Sequence, residues 1–559
     1  LDALLQVLDG RDCTVLLPTG AGKSIIYQLA GLCLPGRTIV VDPTVALIDD
    51  QTRVLDIHGI DRVQAMSMDR LNEYGREAAY QEVSRGDALF VVVAPERLQR
   101  QEFRDSLTTL AALSVINLAV VDEAHCISEW GHDFRPSYLL LGKVLRDCCR
   151  HSDAAPLPIL ALTGTASRAV LKDVLVQLDV SASIEGSVIR PPTFDRPELS
   201  YQIVRTTPTD ADATFLGVLT SLPEHFGESI GSFYEPQGRH TRSGIVFCRT
   251  VKNAPRCVRD TMSLAANILA FEPRVYSGRS PWNHDSREWG RIRQHNARLF
   301  VGNDAPVLVA TSAFGMGIDK PNVRWIVHRG IPDSIEAYYQ QVGRAGRDHE
   351  PSRCVLILCE FDHRRNQGLL AGDVTFEESQ QRHATVRRAD GDDVTSGLYF
   401  HLSSFRGTTG DATTIMEVFD DLDCVDPQTD AVTARTVSLP GAGFNQDKTK
   451  EQAICRLVKL GVVGDYTIRG DAFKITVAPF DRQRVRNALL DYVERSQSGR
   501  SVAIEAELDE DPQPKVRDTV EQCVSLLVGF IYETVEQSRR RSLREMWLAA
   551  RESADGEVL

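Results

Sequence analysis

The chain has 559 residues, of which 42% are apolar and 25% charged, and these values are typical of a globular protein with several domains. The 63 basic and 77 acidic side chains give a formal net charge of −14, which argues against a protein that coats nucleic acid through bulk positive charge but allows a local basic track. No apolar run is long enough to cross a bilayer, and the 12 cysteines form no CxxC pair. We therefore expect reduced thiols and a cytoplasmic protein (associated with the nucleoid in a prokaryote, nuclear in a eukaryote).

Short apolar runs alternate with helical patterns from residue 13 to about residue 185. The runs are CTVLL, RTIVVD, ALFVVVA, LAVVD and PILALTG. They lack period-2 alternation, which is typical of parallel strands buried on both faces by crossover helices. A second series, SGIVFC, PRVYSG, APVLVAT, VRWIVHRG and RCVLILC, predicts a second α/β domain, and PPTFDRPELSY predicts the linker. The polar, Gly-rich stretch at 225–243 is expected to form a surface loop before the second series.

After residue 370 the pattern changes to helices and one hairpin. DKTKEQAICRLVKLG predicts a helix that ends at Gly461, and the alternating runs VVGDYTI and AFKITV on either side of RGD predict a hairpin. A helix followed by a two-stranded wing is typical of a winged-helix domain, with a generic helix–hairpin spacer as the alternative. Farther on, an apolar stripe at 520–531 predicts a buried helix. The basic stretch SRRRSLREMW predicts a helix that faces solvent or a partner.

The stretch LLPTGAGKSIIYQ follows an apolar strand and begins a helix. Its glycines let backbone N–H groups turn inward around phosphate oxygens, Lys23 can reach the outer phosphates, and Ser24 can hold Mg²⁺. Leu17 stands where the longer GxxxxGKS form has its first glycine, so this is the shorter PTGAGKS form. The residues predicted to bind a nucleotide here are Thr19, Gly20, Ala21, Gly22, Lys23 and Ser24. A Gly-rich turn that happens to hold Lys and Ser is the alternative, and the strand–helix context disfavours it.

LAVVDEAH supplies the carboxylates that such a phosphate loop requires. Asp122, at the end of its strand, is predicted to bind Mg²⁺ through water. Glu123 is predicted to orient and deprotonate the attacking water. His125 could signal the nucleotide state. Acidic residues that cap a helix are the alternative for DEAH alone.

QQVGRAGRD in the second series places Arg344 and Arg347 three residues apart, and on a helix they would share a face toward the interdomain cleft. Both are predicted to act as finger arginines that neutralise charge developing on a γ-phosphate. A solvated basic helix is the alternative. In ATSAFGMGIDKP, a turn at Gly315 with Asp319 nearby is expected to sense nucleotide.

A series of motifs follows in chain order: PTGAGKS, VVDPTVALIDDQ, VAPERL, VVDEAHCISEWGHDFRPSY, ALTGTA, FDRPELSY, IVFCRT, VATSAFGMGIDKP and YYQQVGRAGRD. This series resembles the motifs of the RecQ family of superfamily 2 DNA helicases. The resemblance covers about residues 1–370. It implies an ATP-dependent 3′–5′ DNA helicase or translocase in repair, recombination or defence. ATP and Mg²⁺ would be its cofactors, and its partners would be single-stranded and partly duplex DNA, with no membrane.

The implied fold is α/β, with two tandem RecA-like parallel-sheet motor domains followed by a mostly helical C-terminal region with a winged-helix-like segment. The expected boundaries are 1–190 and 191–370 for the motor domains, 371–440 for a helical connector, 441–490 for the winged-helix-like segment and 491–559 for the C-terminal helices.

The resemblance also assigns residues to DNA. The stretch after DEAH is similar to the family's aromatic-rich loop, which implies that Trp130 and Phe134 stack on bases, worth about 1–3 kcal/mol per base. Arg135 would pair with a phosphate or reach the nucleotide. Arg97 and Thr311 would grip the strand backbone. A buried aromatic cluster is the alternative for the loop.

The sequence departs from the family pattern at several positions. Only three cysteines lie past residue 360 (Cys424, Cys455 and Cys523), too few for the family's four-Cys module, so we predict no structural zinc. Glu129 and Gly164 stand where Gln and Ala are usual. The chain starts with Leu1 just before the phosphate loop, so we expect the motif that reads adenine to be missing and the chain to be part of a longer protein. An RNA-dependent superfamily 2 ATPase and a non-enzymatic nucleic-acid-binding subunit of a larger complex are the alternatives.

Overall fold

The computed structural model describes residues 1–18, 20–66, 73–128, 136–150, 156–269, 271–315, 320–386, 391–442, 448–508 and 515–554. The chain forms two compact units. The first comprises Leu1–Leu16, Ser24–Arg190 and Phe405–Gln537, and the second comprises Leu17–Lys23, Pro191–Ser404 and Ser538–Leu559.

A seven-stranded parallel sheet forms the centre of the first unit. Its strands are β1 Cys13–Leu16, β2 Arg37–Val41, β3 Val63–Met66, β4 Phe90–Val93, β5 Ile116–Val121, β6 Ile159–Thr163 and β7 Val188–Ile189, in the order β3-β4-β2-β5-β6-β1-β7. The five predicted strands are confirmed. The sequence did not indicate β3 and β7, the two edge strands, because they are short and only partly buried.

Helices connect these strands as parallel pairing requires. The connecting helices are α2 Lys23–Cys33, α3 Val45–Ile57, α4 Glu73–Arg85, α5 Gln101–Leu113, α6 Leu141–Cys148 and α7 Arg168–Gln177, and one further helix, α1 Asp2–Leu8, precedes β1. Two of them begin at hydroxyl caps: Thr44 accepts from the backbone N–H of Leu47 at 3.2 Å, and Ser167 accepts from that of Val170 at 3.3 Å. Within the described residues, no helix is long and apolar enough to cross a membrane.

The second unit contains a six-stranded parallel sheet. The five strands predicted for it are present, and a sixth strand, Leu199–Thr206, begins inside the stretch predicted as the linker. Its strands are β8 Leu199–Thr206, β9 Ser243–Phe247, β10 Arg274–Tyr276, β11 Val307–Ala310, β12 Val323–Arg329 and β13 Ser352–Cys359, in the order β10-β11-β9-β12-β13-β8. The Trp325 ring covers Gly244 so closely that a Cβ there would lie 1.8 Å from Cε2, so only glycine fits at this point of β9.

The helices of the second unit are α8 Ala211–His225, α9 Ile230–Phe233, α10 Val258–Leu269, α11 Ser286–Val301, α12 Ile335–Val342, α13 His363–Leu369, α14 Phe376–Ala384 and α15 Asp393–Ser403. The short α9 shows that the predicted surface loop at 225–243 is wrong in part. Phe233 and Tyr234 are buried, and the Tyr234 ring meets the Trp325 ring edge-on with centroids 5.8 Å apart. Burying these two aromatic side chains holds the Gly-rich stretch on the core.

The C-terminal part of the first unit combines helices with a three-stranded antiparallel sheet. Its elements are α16 Thr408–Asp421, β14 Thr436–Pro440, α17 Thr449–Lys459, β15 Val463–Arg469, β16 Ala472–Val477, α18 Arg482–Ser496, α19 Ser501–Glu507 and α20 Val516–Ile531. The sheet order is β14-β16-β15. The predicted helix and hairpin are confirmed in α17, β15 and β16, and the predicted apolar stripe is the buried face of α20.

The hairpin of β15 and β16 packs against α5 and the turn that precedes it, within the first unit. Arg104 on α5 forms a salt bridge with Asp465, with 2.6 Å between Nη1 and Oδ2, and donates to the Tyr466 carbonyl at 3.2 Å. Arg100 donates to the Gly470 carbonyl at 2.9 Å in the hairpin turn. The hairpin is therefore anchored along its length to the first parallel-sheet domain.

We expect Arg104→Ala to lower the free energy of unfolding of the first unit by roughly 2–3 kcal/mol, because it leaves the buried Leu98 and Tyr466 carbonyls without their donor and breaks a half-buried ion pair. Urea unfolding would measure the loss. Arg53→Ala, which removes an exposed pair with Asp50, is the control and should cost well under about 1 kcal/mol. Equal effects of the two substitutions would show that the hairpin contact is not stabilising.

The basic C-terminal helix, α21 Gln537–Ala554, is not simply solvated. Trp547 on this helix is fully buried and donates from Nε1 to Glu360 at 3.1 Å within the second unit. The prediction of a solvent- or partner-facing helix is therefore wrong for this face. The prediction rested on the basic residues of this helix and overlooked its apolar stripe, which consists of Leu543, Met546, Trp547 and Ala550.

Candidate nucleotide and nucleic-acid site

The phosphate loop lies between β1 and α2, as predicted. Gly20 and Gly22 have φ of +86° and +76°, a region that residues with a Cβ rarely adopt. This backbone matches a loop whose N–H groups turn inward around an anion, so the residues present fit a nucleotide phosphate. Ala21 lies between the two glycines, and Thr19 lies outside the described residues.

Ser24 is held by a network that the sequence analysis missed. Gln51 on α3 donates from Nε2 to the Ser24 hydroxyl at 2.9 Å, and the buried Tyr27 hydroxyl donates to Gln51 Oε1 at 2.7 Å. Gln51 closes the stretch VVDPTVALIDDQ, so its place in that motif was the available signal. The network fixes the position of the hydroxyl predicted to hold Mg²⁺.

The two carboxylates of DEAH follow β5 at the carboxyl edge of the sheet. Asp122 is buried, and its Oδ1 accepts from the Glu123 backbone N–H at 2.8 Å. Glu123 has φ +46° and ψ +48°, a left-handed conformation that is uncommon for a residue with a side chain. Such strained residues cluster at functional sites, and the strain here re-aims the Glu123 side chain at the end of the strand.

His125 connects this edge to the next strand. Its Nδ1 lies 3.1 Å from Thr163 Oγ1, at the end of β6, and 3.3 Å from Glu123 Oε2. Thr163 in turn donates to the Thr165 carbonyl at 2.9 Å. The ring therefore lies between Glu123 and the first threonine of the ALTGTA segment, and its role as a sensor of nucleotide state stays a prediction.

A third carboxylate, Asp42, lies at the same edge and was not among the predicted site residues. It directly follows β2, which pairs with β5. Asp42 is fully buried, and among the described residues neither of its carboxylate oxygens has a hydrogen-bond partner. Burial, and then the charges of Asp122 and Glu123, raise the pKa of Asp42 well above its usual value.

The structure corrects one expectation about the two arginines. The helix α12 ends at Val342, so Arg344 and Arg347 lie in the turns beyond it and do not share a helical face. Gly343 caps the helix before Arg344, and Gly346, with φ +61°, turns the chain again between Arg344 and Arg347. Within the second unit, Arg347 borders the phosphate loop: a Cβ built on Gly20 would lie 3.5 Å from Arg347 Cγ. Arg344 is buried.

The residues predicted to contact DNA are only partly described. Arg97 is 1% exposed and donates from Nη1 to the Tyr80 hydroxyl at 3.1 Å, so its guanidinium would have to move to reach a strand. Thr311 follows β11, and its hydroxyl accepts from the Ala313 N–H at 3.4 Å. Gly315 ends the short 3₁₀ helix after it. The remaining predicted residues, Trp130, Phe134, Arg135 and Asp319, lie outside the described residues.

The oxygen groups at this edge fit Mg²⁺, which prefers hard oxygen ligands and keeps several waters. The Ser24 hydroxyl and the Asp122 carboxylate are the groups that would hold it. In the part of the chain that the structure describes, no group of three or more His, Cys, Asp or Glu residues could hold a metal. The absence of a structural zinc stays a prediction.

Comparison with known proteins places this geometry in a family. The model for DEAD/DEAH box helicases matches residues 1–174, and the model for the helicase conserved C-terminal domain matches residues 233–349. The protein named "Probable ATP-dependent DNA helicase RecS" of Bacillus subtilis is 34% identical over 378 residues, which are 67% of either chain. The chain belongs to the RecQ family of superfamily 2 DNA helicases.

Other RecQ-family relatives are longer than the matched region. The ATP-dependent DNA helicase RecQ of Pasteurella multocida is 32% identical over 364 residues, which cover 65% of this chain and 49% of that protein. The ATP-dependent helicase wrn-1 of Caenorhabditis elegans is 34% identical over 367 residues, covering 65% and 30%. The chain thus spans two thirds of the first relative, half of the second and under a third of the third.

Proposed function

We propose that this RecQ-family chain hydrolyses ATP in response to single-stranded DNA and uses the energy to move 3′–5′ and unwind duplex DNA. The single observation that carries the proposal is the Asp122–Glu123 pair at the carboxyl end of β5, where Asp122 is buried and Glu123 has a left-handed backbone conformation. The positive-φ glycines of the phosphate loop, which belongs to the same motif series, support it. Family membership supports both the ATPase and the DNA substrate.

Each residue of the ATPase site has a distinct role in this proposal. Lys23 would pair with the outer phosphates, and Ser24 and Asp122 would hold Mg²⁺, which supplies positive charge at the phosphates when bound. Glu123 would orient the attacking water and accept its proton. Arg347, beside Gly20, would face the charge that develops on the γ-phosphate, and Arg344 would support it.

The DNA contacts belong to the same proposal. Trp130 and Phe134 would stack on bases, Arg135 would pair with a phosphate, and Arg97 and Thr311 would grip the strand backbone. Since the aromatic-rich loop directly follows DEAH in sequence, a base stacked on it can act on Glu123 through a few residues of chain. The cellular role would be in the repair or recombination of DNA, or in defence against foreign DNA.

The test is ATP hydrolysis by the purified chain without nucleic acid, with single-stranded DNA and with single-stranded RNA. Lys23→Ala is the blank and should show no turnover. Strong stimulation by DNA alone supports the proposal, and a strand-displacement assay with 3′- or 5′-tailed duplexes then tests polarity. Stimulation by RNA would favour an RNA-dependent motor, and no turnover under any condition would favour a non-enzymatic subunit.

Trp130→Ala is expected to keep the basal ATPase rate and to lose most of its stimulation by DNA. The reason is that the variant lacks the indole ring on which a base of the bound strand would stack. The measurement is ATP turnover against DNA concentration. Phe361→Ala, which removes an aromatic ring that is 64% exposed in the second unit, is the matched control. DNA should stimulate its ATPase rate as much as it stimulates that of wild type. Unaltered stimulation of the Trp130 variant would mean that the loop has only a packing role.

A further inference from the structure

Asp42 and Asp122 leave the first sheet side by side. Val41 and Val121 are register partners on the neighbouring strands β2 and β5, and the Asp122 N–H donates to the Val41 carbonyl at 2.9 Å. The next residue on each strand is an aspartate. The two carboxylates therefore occupy equivalent positions at the same edge of the sheet.

The environment of Asp42 is unfavourable for a carboxylate that stands alone. Its backbone N–H is used by the Val93 carbonyl at 3.0 Å, its side chain is 0% exposed, and both side-chain oxygens lack a donor among the described residues. The Tyr27 hydroxyl, which lies in the same region, donates instead to Gln51. Burying a charged group without hydrogen bonds is costly, and a like charge beside it adds to that cost.

A bound cation relieves both costs at once. Mg²⁺ in proteins is held by one or two carboxylates, with water filling the rest of its octahedral shell. The pair fits that requirement, and the described residues offer no third His, Cys, Asp or Glu that would make a larger cage. Hard carboxylate oxygens favour Mg²⁺ or Mn²⁺ over softer metals.

We propose that Asp42 is a second protein carboxylate for the divalent cation of this site, so that Asp42 and Asp122 together hold Mg²⁺ before nucleotide arrives. The inference deepens the proposed ATPase function and rests on it for the role of Asp122. Its consequence is specific: the nucleotide-free chain binds a divalent cation by itself, and ATP then binds to a site already loaded with metal.

The experiment is Mn²⁺ binding to the full nucleotide-free chain, followed by electron paramagnetic resonance of free Mn²⁺, with Mg²⁺ as competitor. Wild type should bind one Mn²⁺. Asp42→Asn and Asp122→Asn should each weaken binding by about 10-fold or more. Asp105→Asn, which removes an exposed charge from α5 in the same unit, is the control and should bind as wild type does.

Thermal unfolding provides a second readout that does not depend on activity. In EDTA, Asp42→Asn should melt at a higher temperature than wild type, because the substitution removes a buried carboxyl group that lies beside the like-charged Asp122. With Mn²⁺, wild type should gain stability while the variant gains little. Asp42→Ser is a second variant with a smaller side chain and should follow the same pattern if Asn packs poorly.

Unchanged Mn²⁺ affinity in both Asp42 variants would overturn the proposal. It would also be overturned if the variants lost the same amount of stability with and without metal, because Asp42 would then be a structural side chain. Absence of Mn²⁺ binding by wild type would also overturn it. The DNA-stimulated ATPase of wild type is measured separately, so a failure here is distinguishable from a failure of the proposed function.

Discussion

Arg347→Ala is expected to slow ATP hydrolysis by about 10³-fold or more, while ATP binding changes little. The reason is that a finger arginine acts on charge that develops only in the transition state, so the loss falls on kcat and on kcat/KM but not on nucleotide affinity. The position of Arg347 beside Gly20 supports this role over that of a solvated basic residue. The measurements are single-turnover hydrolysis and titration with a fluorescent ATP analogue.

The control is Arg353→Ala, which removes an arginine on β13 of the same unit whose guanidinium donates to Gln202 Oε1 at 2.8 Å. It should keep both binding and turnover. If Arg347→Ala weakens ATP binding as much as it slows turnover, the side chain contributes to ground-state binding and the finger role is wrong. Arg344→Ala tests the second arginine in the same way.

Glu123→Gln is the second large effect that we expect. The substitution keeps the size of the side chain but removes the proton acceptor, so hydrolysis should fall by about 10²–10⁴-fold. ATP and single-stranded DNA should still bind, because neither the phosphate loop nor the aromatic-rich loop is altered. Rapid-quench hydrolysis and DNA-binding anisotropy with ATP present would measure the two properties on the same preparation.

An exposed glutamate on α5 offers the control, since Glu102→Gln changes the same charge in the same unit at a solvent-exposed position outside the predicted site. Turnover by the Glu123 variant near the level of this control would contradict a general-base role. Loss of folding would be recognised by circular dichroism. It is not expected, because Gln can adopt the backbone conformation of Glu123 as readily as Glu does.

The local chemistry of the site was predictable because the residues that provide it lie in short contiguous motifs of the sequence. PTGAGKS predicted a turn that only glycines can make, and the structure has Gly20 and Gly22 at positive φ. LAVVDEAH predicted a buried strand with a carboxylate at its end, and Asp122 lies there. Apolar runs without alternation predicted the parallel strands, since strands covered on both faces need apolar side chains at every position.

Partly buried elements were harder to predict. The strand β8 is half-buried or exposed at every position after Leu199 and lies at the sheet edge, and α9 is a single turn within a Gly-rich stretch. Arg344 and Arg347 have the spacing of a helical face, but Gly343 ends the helix before them and Gly346 turns the chain between them. In each case a local pattern was overruled by a glycine or by contacts with residues distant in sequence.

The sequence by itself determined the family, the strands that are buried on both faces and the identity of the phosphate-loop and DEAH residues. Only the tertiary structure decided that Asp42 stands beside Asp122, that Gln51 holds Ser24, and that the β15–β16 hairpin is anchored to α5. These pairings depend on sheet order and on packing between segments far apart in the chain. Short-range periodicity carries no information about them, because it indicates which face of a segment is buried and not which distant segment lies beside it.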